Sequence, residues 1–101
     1  MELTYGRYLK VEELLQLQQP LSEGPEHDEM LFIIIHQVYE LWFKQILHEL
    51  EKLKSSFQEG ERGKALHNLK RIRSILKVLV SQVDVLETMT PLEFLSFRER
   101  L

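Results

Sequence analysis

The sequence predicts an all-α protein whose centre is a long antiparallel helix hairpin with short flanking helices. Apolar residues recur at steps of three and four over two long stretches, the helical period rather than strand alternation. Four Gly and three Pro leave little room for the many turns of a β-sandwich. A Thr-Pro-Leu-Glu run at Thr90–Glu93 signals the start of a further helix. With 101 residues, the chain is one helical domain or the N-terminal part of a larger one.

The first 24 residues form an N-terminal segment with a short helix near Val11–Leu17 and a loop holding Pro20 and Gly24. The first long helix is expected over 25–59. Pro25 suits its first turn, and Glu26, Asp28 and Glu29 complement the positive end of its dipole. Leu31, Phe32, Ile35, Val38, Tyr39, Trp42, Phe43, Ile46, Leu50, Leu53 and Phe57 carry the period. From Met30 to Phe43 the pattern is apolar on nearly every side, which predicts burial all round. Gly60 ends the helix and Gly63 is expected to help the turn. The second long helix is expected over 64–89, with Leu66, Leu69, Ile72, Leu76, Leu79, Val80, Val83 and Leu86 as its stripe. A third helix starts at 91, with Thr90 as cap, Pro91 in the first turn and Glu93 completing a capping box; it is still running at 101.

A helix of 34 residues would be about 50 Å long, whereas a compact chain of this size has a radius of gyration of about 13 Å. One partner helix cannot cover the stretch from Met30 to Phe43. The expected cover is a second subunit or further chain, so the protein is expected to oligomerise.

Composition excludes several functions. The chain has no cysteine, which removes disulfides, Fe–S clusters, thiolate haem ligation and Cys-type zinc sites. The net charge is −3, and Lys64, Lys70, Arg71, Arg73 and Lys77 fall mostly outside the apolar stripe, so they read as a solvated face and no nucleic-acid partner is expected. The longest apolar run, Met30–Ile35, has six residues against about 18 for a bilayer span. The N-terminus lacks the basic start and apolar stretch of a secretory signal, and a cytoplasmic location is expected.

Chemistry can come from few places. Three residues before the histidines stand Gly24, Ile33, Gln45 and Lys64, so the Glu-x-x-His pairs of a di-iron bundle are missing. His48-Glu49 is followed by Leu50-Glu51-Lys52, so the His-Glu-x-x-His zinc pattern fails too, and no metal ligand is assigned. His27 reads as a surface or capping residue, and His48 and His67 belong with charged neighbours. His36 differs: it stands in the most apolar stretch, with Phe32 and Glu40 one turn to either side. It is either a core histidine held by a carbonyl or by Glu40, or an imidazole that meets a ligand. Phe94 and Arg98 share a face at a spacing of four. Ring and guanidinium together suit an aromatic amino acid with its carboxylate; the plainer alternative is a surface arginine balanced by Glu99.

Four stretches together resemble one family. They are Leu3-Thr4-Tyr5-Gly6-Arg7-Tyr8-Leu9, His27-Asp28-Glu29, the run Phe32-Ile33-Ile34-Ile35-His36-Gln37-Val38-Tyr39-Glu40-Leu41-Trp42-Phe43-Lys44-Gln45, and Val85–Phe94 followed by Phe97 and Arg98. In this order they resemble the tryptophan 2,3-dioxygenases, over essentially the whole chain but only the N-terminal portion of the family's enzyme. The resemblance implies a larger all-helical haem-dioxygenase fold, cytoplasmic and homotetrameric. It implies haem b, and insertion of dioxygen into the indole 2,3-bond of L-tryptophan to give N-formylkynurenine, the kynurenine-pathway step of tryptophan catabolism.

By resemblance His36 meets the indole N–H, as a base or as a positioning group. Phe32 and Phe94 line the indole pocket, and Arg98 takes the substrate carboxylate. Tyr5, Tyr8 and Leu9 match a segment that reaches into a neighbouring subunit's site. The family's proximal haem-ligating histidine and its Ser-Gly-Phe segment fall beyond Leu101, so the isolated chain is expected to be inactive. Some bacterial relatives carry Trp near the haem edge where this chain has Val83. The alternative to an enzyme part is a stand-alone oligomerising helical module without catalysis.

Overall fold

The computed structural model describes residues 3–22, 24, 26–95 and 98, apart from the side chain of Glu93. Five helices follow in order: α1 (Tyr5–Leu9), α2 (Val11–Leu14), α3 (His27–Gln58), α4 (Arg62–Leu86) and α5 (Pro91–Leu95). The described residues are all-α, without a strand, and α3 and α4 pack together as a hairpin. None of these helices is long and apolar enough to cross a membrane.

The N-terminal segment holds a helix that the period of its apolar residues does not signal. Thr4 caps α1, its hydroxyl accepting from the Arg7 amide at 3.3 Å. Lys10, at φ 54°, separates α1 from α2 in a left-handed conformation that non-glycine residues seldom adopt. α2 is one turn long and relaxes into further turns through Gln16 and Leu17.

The helix α3 has 32 residues and starts at His27, with Asp28 and Glu29 in its first turn. Pro25, expected in that turn, lies outside the described residues. So do the Glu93 side chain expected to complete the capping box, Phe97, and any helix beyond α5 apart from Arg98. Gly60, at φ 72°, supplies the left-handed residue that lets the chain reverse. Gly63, expected in that turn, instead belongs to the first turn of α4, which begins at Arg62. The backbone closes earlier because the Ala65 amide reaches back to the Glu61 carbonyl at 3.1 Å. Beside it, the Lys64 ammonium bonds the Glu61 carboxylate and holds that carboxyl below its usual range. The Glu59 carboxyl is pushed up by its hydrogen bond with Glu61. Glu59 and Lys64 are exposed and Glu61 is half-buried at the surface, where solvent screens such pairs, so these pairings stabilise little.

Between α3 and α4 the buried apolar side chains are Ile35, Ala65, Ile75 and Leu79. Two polar bridges fix the register. The Tyr39 hydroxyl donates to the Leu79 carbonyl at 2.7 Å. Buried Glu49 takes the Arg71 guanidinium at 3.0 Å and the Asn68 amide at 3.4 Å. A buried carboxylate needs such partners, because an unpaired one would be costly to desolvate.

Burial all round from Met30 to Phe43 is not what the chain itself provides. Ile35 is buried, but Ile34, Leu41 and Phe43 are exposed, because α4 covers only one side. Leu47 is 64% exposed and Val80 71%. The accessible surface is 8331 Å², against about 6,000 Å² for a compact monomer of this length. The radius of gyration is 18.2 Å, against about 13 Å. Uncovered apolar faces of this extent associate. We expect residues 1–101, purified alone at micromolar concentration, to run as a dimer or larger in light scattering; a single-chain mass would contradict this.

Candidate functional site

The helix α3 sets Phe32 and His36 one turn apart on one face, with ring centroids 4.2 Å apart and planes tilted by 34°. α5 then packs back onto α3 and brings Phe94 to Phe32, centroid to centroid 5.7 Å. The turn from Leu86 to Pro91 closes the remaining side. The result is an open groove of about 410 Å³ lined by Phe32, His36, Leu86, Met89, Thr90, Pro91 and Phe94. It is apolar except for the imidazole and the threonine, which suits a flat aromatic ligand needing one directional polar contact.

His36 is exposed rather than buried, since this chain covers only part of its surroundings. Its Nδ1 lies 2.7 Å from the Phe32 carbonyl oxygen. A carbonyl can only accept, so Nδ1 carries the proton and donates. In the neutral ring Nε2 is then the lone-pair nitrogen, an acceptor for an N–H. Of the two holders expected for a core histidine, the carbonyl is the one engaged, and Glu40 is not. On its other side His36 borders a second groove of about 560 Å³, with Leu14, Leu17, Gln37, Glu40, Leu41 and Lys44.

The structure brings together three of the expected residues, Phe32, His36 and Phe94. Arg98 is exposed, one turn of sequence beyond Phe94, and is not among the described residues lining the groove. Tyr5, Tyr8 and Leu9 all stand on α1, which meets α2 and no other helix among the described residues. Tyr5 is 79% exposed and Tyr8 70%, so neither serves the groove of its own chain. Two further residues, Glu29 and Gln37, bind the N-terminal segment beside this face. In sequence Glu29 signals only dipole compensation, and the partners of Gln37 lie some twenty residues back in the chain.

The charged cavity at the hairpin end, about 680 Å³, has a different character. Arg71 there reaches from α4 to Glu49 of α3 at 3.0 Å and lies 3.3 Å from the His67 Nε2 of its own helix, so the Arg71–Glu49 pair serves to hold α3 to α4. Among the described residues no three His, Asp or Glu converge as a metal site.

A sequence model of the family described as tryptophan 2,3-dioxygenase matches residues 1–101. A tryptophan 2,3-dioxygenase of Herpetosiphon aurantiacus is 62% identical over 99 residues, covering 98% of this chain and 38% of that protein. One from Anaeromyxobacter sp. (strain K) is also 62% identical over 99 residues, covering 98% and 37%. The similarity extends to an Aedes aegypti tryptophan 2,3-dioxygenase, 49% identical over 107 residues, covering 98% and 27%. The chain thus spans under two fifths of the length of the curated relatives it matches.

The imidazole geometry is directly testable. In the neutral ring, ¹⁵N spectra should show His36 protonated at Nδ1 and bare at Nε2. The opposite tautomer would contradict the bond to the Phe32 carbonyl.

Proposed function

The chain belongs to the tryptophan 2,3-dioxygenase family, and from that premise we propose that it forms the substrate-pocket part of a haem-dependent dioxygenase. The reaction is insertion of both atoms of dioxygen across the indole 2,3-bond of L-tryptophan, giving N-formylkynurenine in the kynurenine pathway. The observation that carries the reading is the groove between Phe32, His36 and Phe94. It offers aromatic walls to an indole ring, and an imidazole whose proton is committed to a carbonyl.

Each residue then has a physical task. Phe32 and Phe94, packed on each other, form one aromatic wall against which the indole lies. His36 accepts the indole N–H at Nε2, which fixes the ring's rotation and lets the proton shift as the ring's electron density changes. Arg98 pairs with the substrate carboxylate, a charge that does not change in the reaction. Tyr5, Tyr8 and Leu9 serve a neighbouring subunit's pocket, which accounts for their exposure in a single chain.

Haem b, when bound, supplies the activation of dioxygen. The groove fits the substrate-facing side of such a group, because its walls are apolar and its one imidazole is already held through Nδ1. His36, Phe32 and Phe94 would stand on that side. Residues 1–101 offer no residue assigned to hold the haem iron, so this segment taken by itself would be inactive. The assembly belongs in the cytoplasm as a homotetramer, and the uncovered apolar surface favours association. That surface alone would also fit a non-catalytic assembly module, and kinetics separate the two.

In the full-length enzyme, Arg98→Ala should cost about 2–5 kcal/mol of tryptophan binding, as for one partner lost from a buried charge pair. It should show mainly as a raised KM. His36→Ala should instead lower kcat, by up to about 10²–10⁴-fold if the imidazole acts as a base and far less if it only positions the ring. Steady-state kinetics with tryptophan and its indole N-methyl analogue resolve these cases. Unchanged tryptophan affinity in Arg98→Ala would remove the assignment.

A further inference from the structure

We infer that Glu29 and Gln37 are positioning residues: they clamp the chain around 17–22 onto α3 and so set the direction in which α1 is presented to a neighbouring subunit. Glu29 is 1% exposed although it lies in the first turn of a helix. Its two carboxylate oxygens accept the backbone amides of Leu21 and Ser22, at 2.9 and 3.1 Å. Two turns along α3, the Gln37 side chain donates to the Leu17 carbonyl at 2.9 Å and accepts from the Gln18 amide at 2.8 Å. Six residues of irregular chain are thus fixed at both ends by side chains of one helix. These side chains flank Phe32 and His36, so the clamp and the groove share a rigid support.

Burying a carboxylate to bind two loop amides has a large desolvation cost, which only a charge-assisted, doubly bonded geometry offsets. Among the described residues α1 meets no helix other than α2. Its placement therefore follows from where the clamp holds the segment after α2. The inference rests on the proposal that α1 serves a neighbouring active site. There, Tyr5 and Tyr8 would border the substrate rather than the reacting atoms, so their displacement is expected in KM.

The test uses the full-length enzyme with Glu29→Gln, Gln37→Ala and, as a control in the same loop, Gln19→Ala. The side chain in Glu29→Gln presents one oxygen and one NH2 group, so one loop amide loses its acceptor. Amide exchange at Leu21 and Ser22 should accelerate by about tenfold or more in Glu29→Gln, while Ile35, Ile75 and Leu79 stay protected. The KM for tryptophan should rise roughly tenfold with kcat within about twofold, and Glu29→Asp, which keeps both oxygens, should recover part of the loss. Gln19→Ala should change neither. If Glu29→Gln does not fold, Gln37→Ala carries the same KM expectation. Unchanged exchange at Leu21 and Ser22 overturns the clamp. An unchanged KM, while Arg98→Ala raises it, overturns its role in presenting α1. Failure of Arg98→Ala to alter tryptophan affinity strikes the proposed substrate pocket instead.

Discussion

A single unbroken helix, α3, supplies one wall of the hairpin core, the anchor of the N-terminal segment and the face that carries Phe32 and His36. Its 32 residues make it about 48 Å long. α4 can cover only one side of such a rod, so everything on the other sides has to be met by short segments or by another chain. The register of α3 against α4 is held by Ile35, Ile75 and Leu79 together with the Tyr39 and Glu49 bridges. A slip along that interface would move the groove and the clamp together.

The same constraint explains why His36 is exposed here. α4 meets the groove on the imidazole's side only with its last residue, Leu86, and α5 contributes Phe94, which packs on Phe32. The residue is held in place locally by the carbonyl one turn earlier on its own helix. A group fixed by its own helix keeps its orientation whatever covers it, which suits a contact completed by a ligand or a second chain.

Much of this architecture is legible from the apolar period: α3 and α4 follow directly from steps of three and four, and the Thr90-Pro91 signal marks α5. The exposure of Ile34, Leu41 and Phe43 is less legible, since an all-round apolar helix says that cover exists but not which chain provides it. α1 escapes because its capping threonine is followed by Gly6 and Arg7 rather than by an acidic third residue. Phe32 and Phe94 are far apart in the chain, and their meeting depends on the hairpin's length. The clamp is invisible to pattern reading because the partners of Glu29 are backbone amides, which carry no residue signature. His36 stands out in sequence as a polar residue in an apolar run, but the tautomer that makes its Nε2 an acceptor follows only from the 2.7 Å approach to Phe32.

The central proposal is that an indole ring seats in the groove beside the Phe32–Phe94 pair with its N–H on His36. A crystal structure of the full-length enzyme with L-tryptophan bound tests it most directly. The account predicts the indole nitrogen within about 3.2 Å of His36 Nε2, with Nδ1 still on the Phe32 carbonyl. An indole nitrogen bonded to another group, or a ring lying outside this groove, would contradict it.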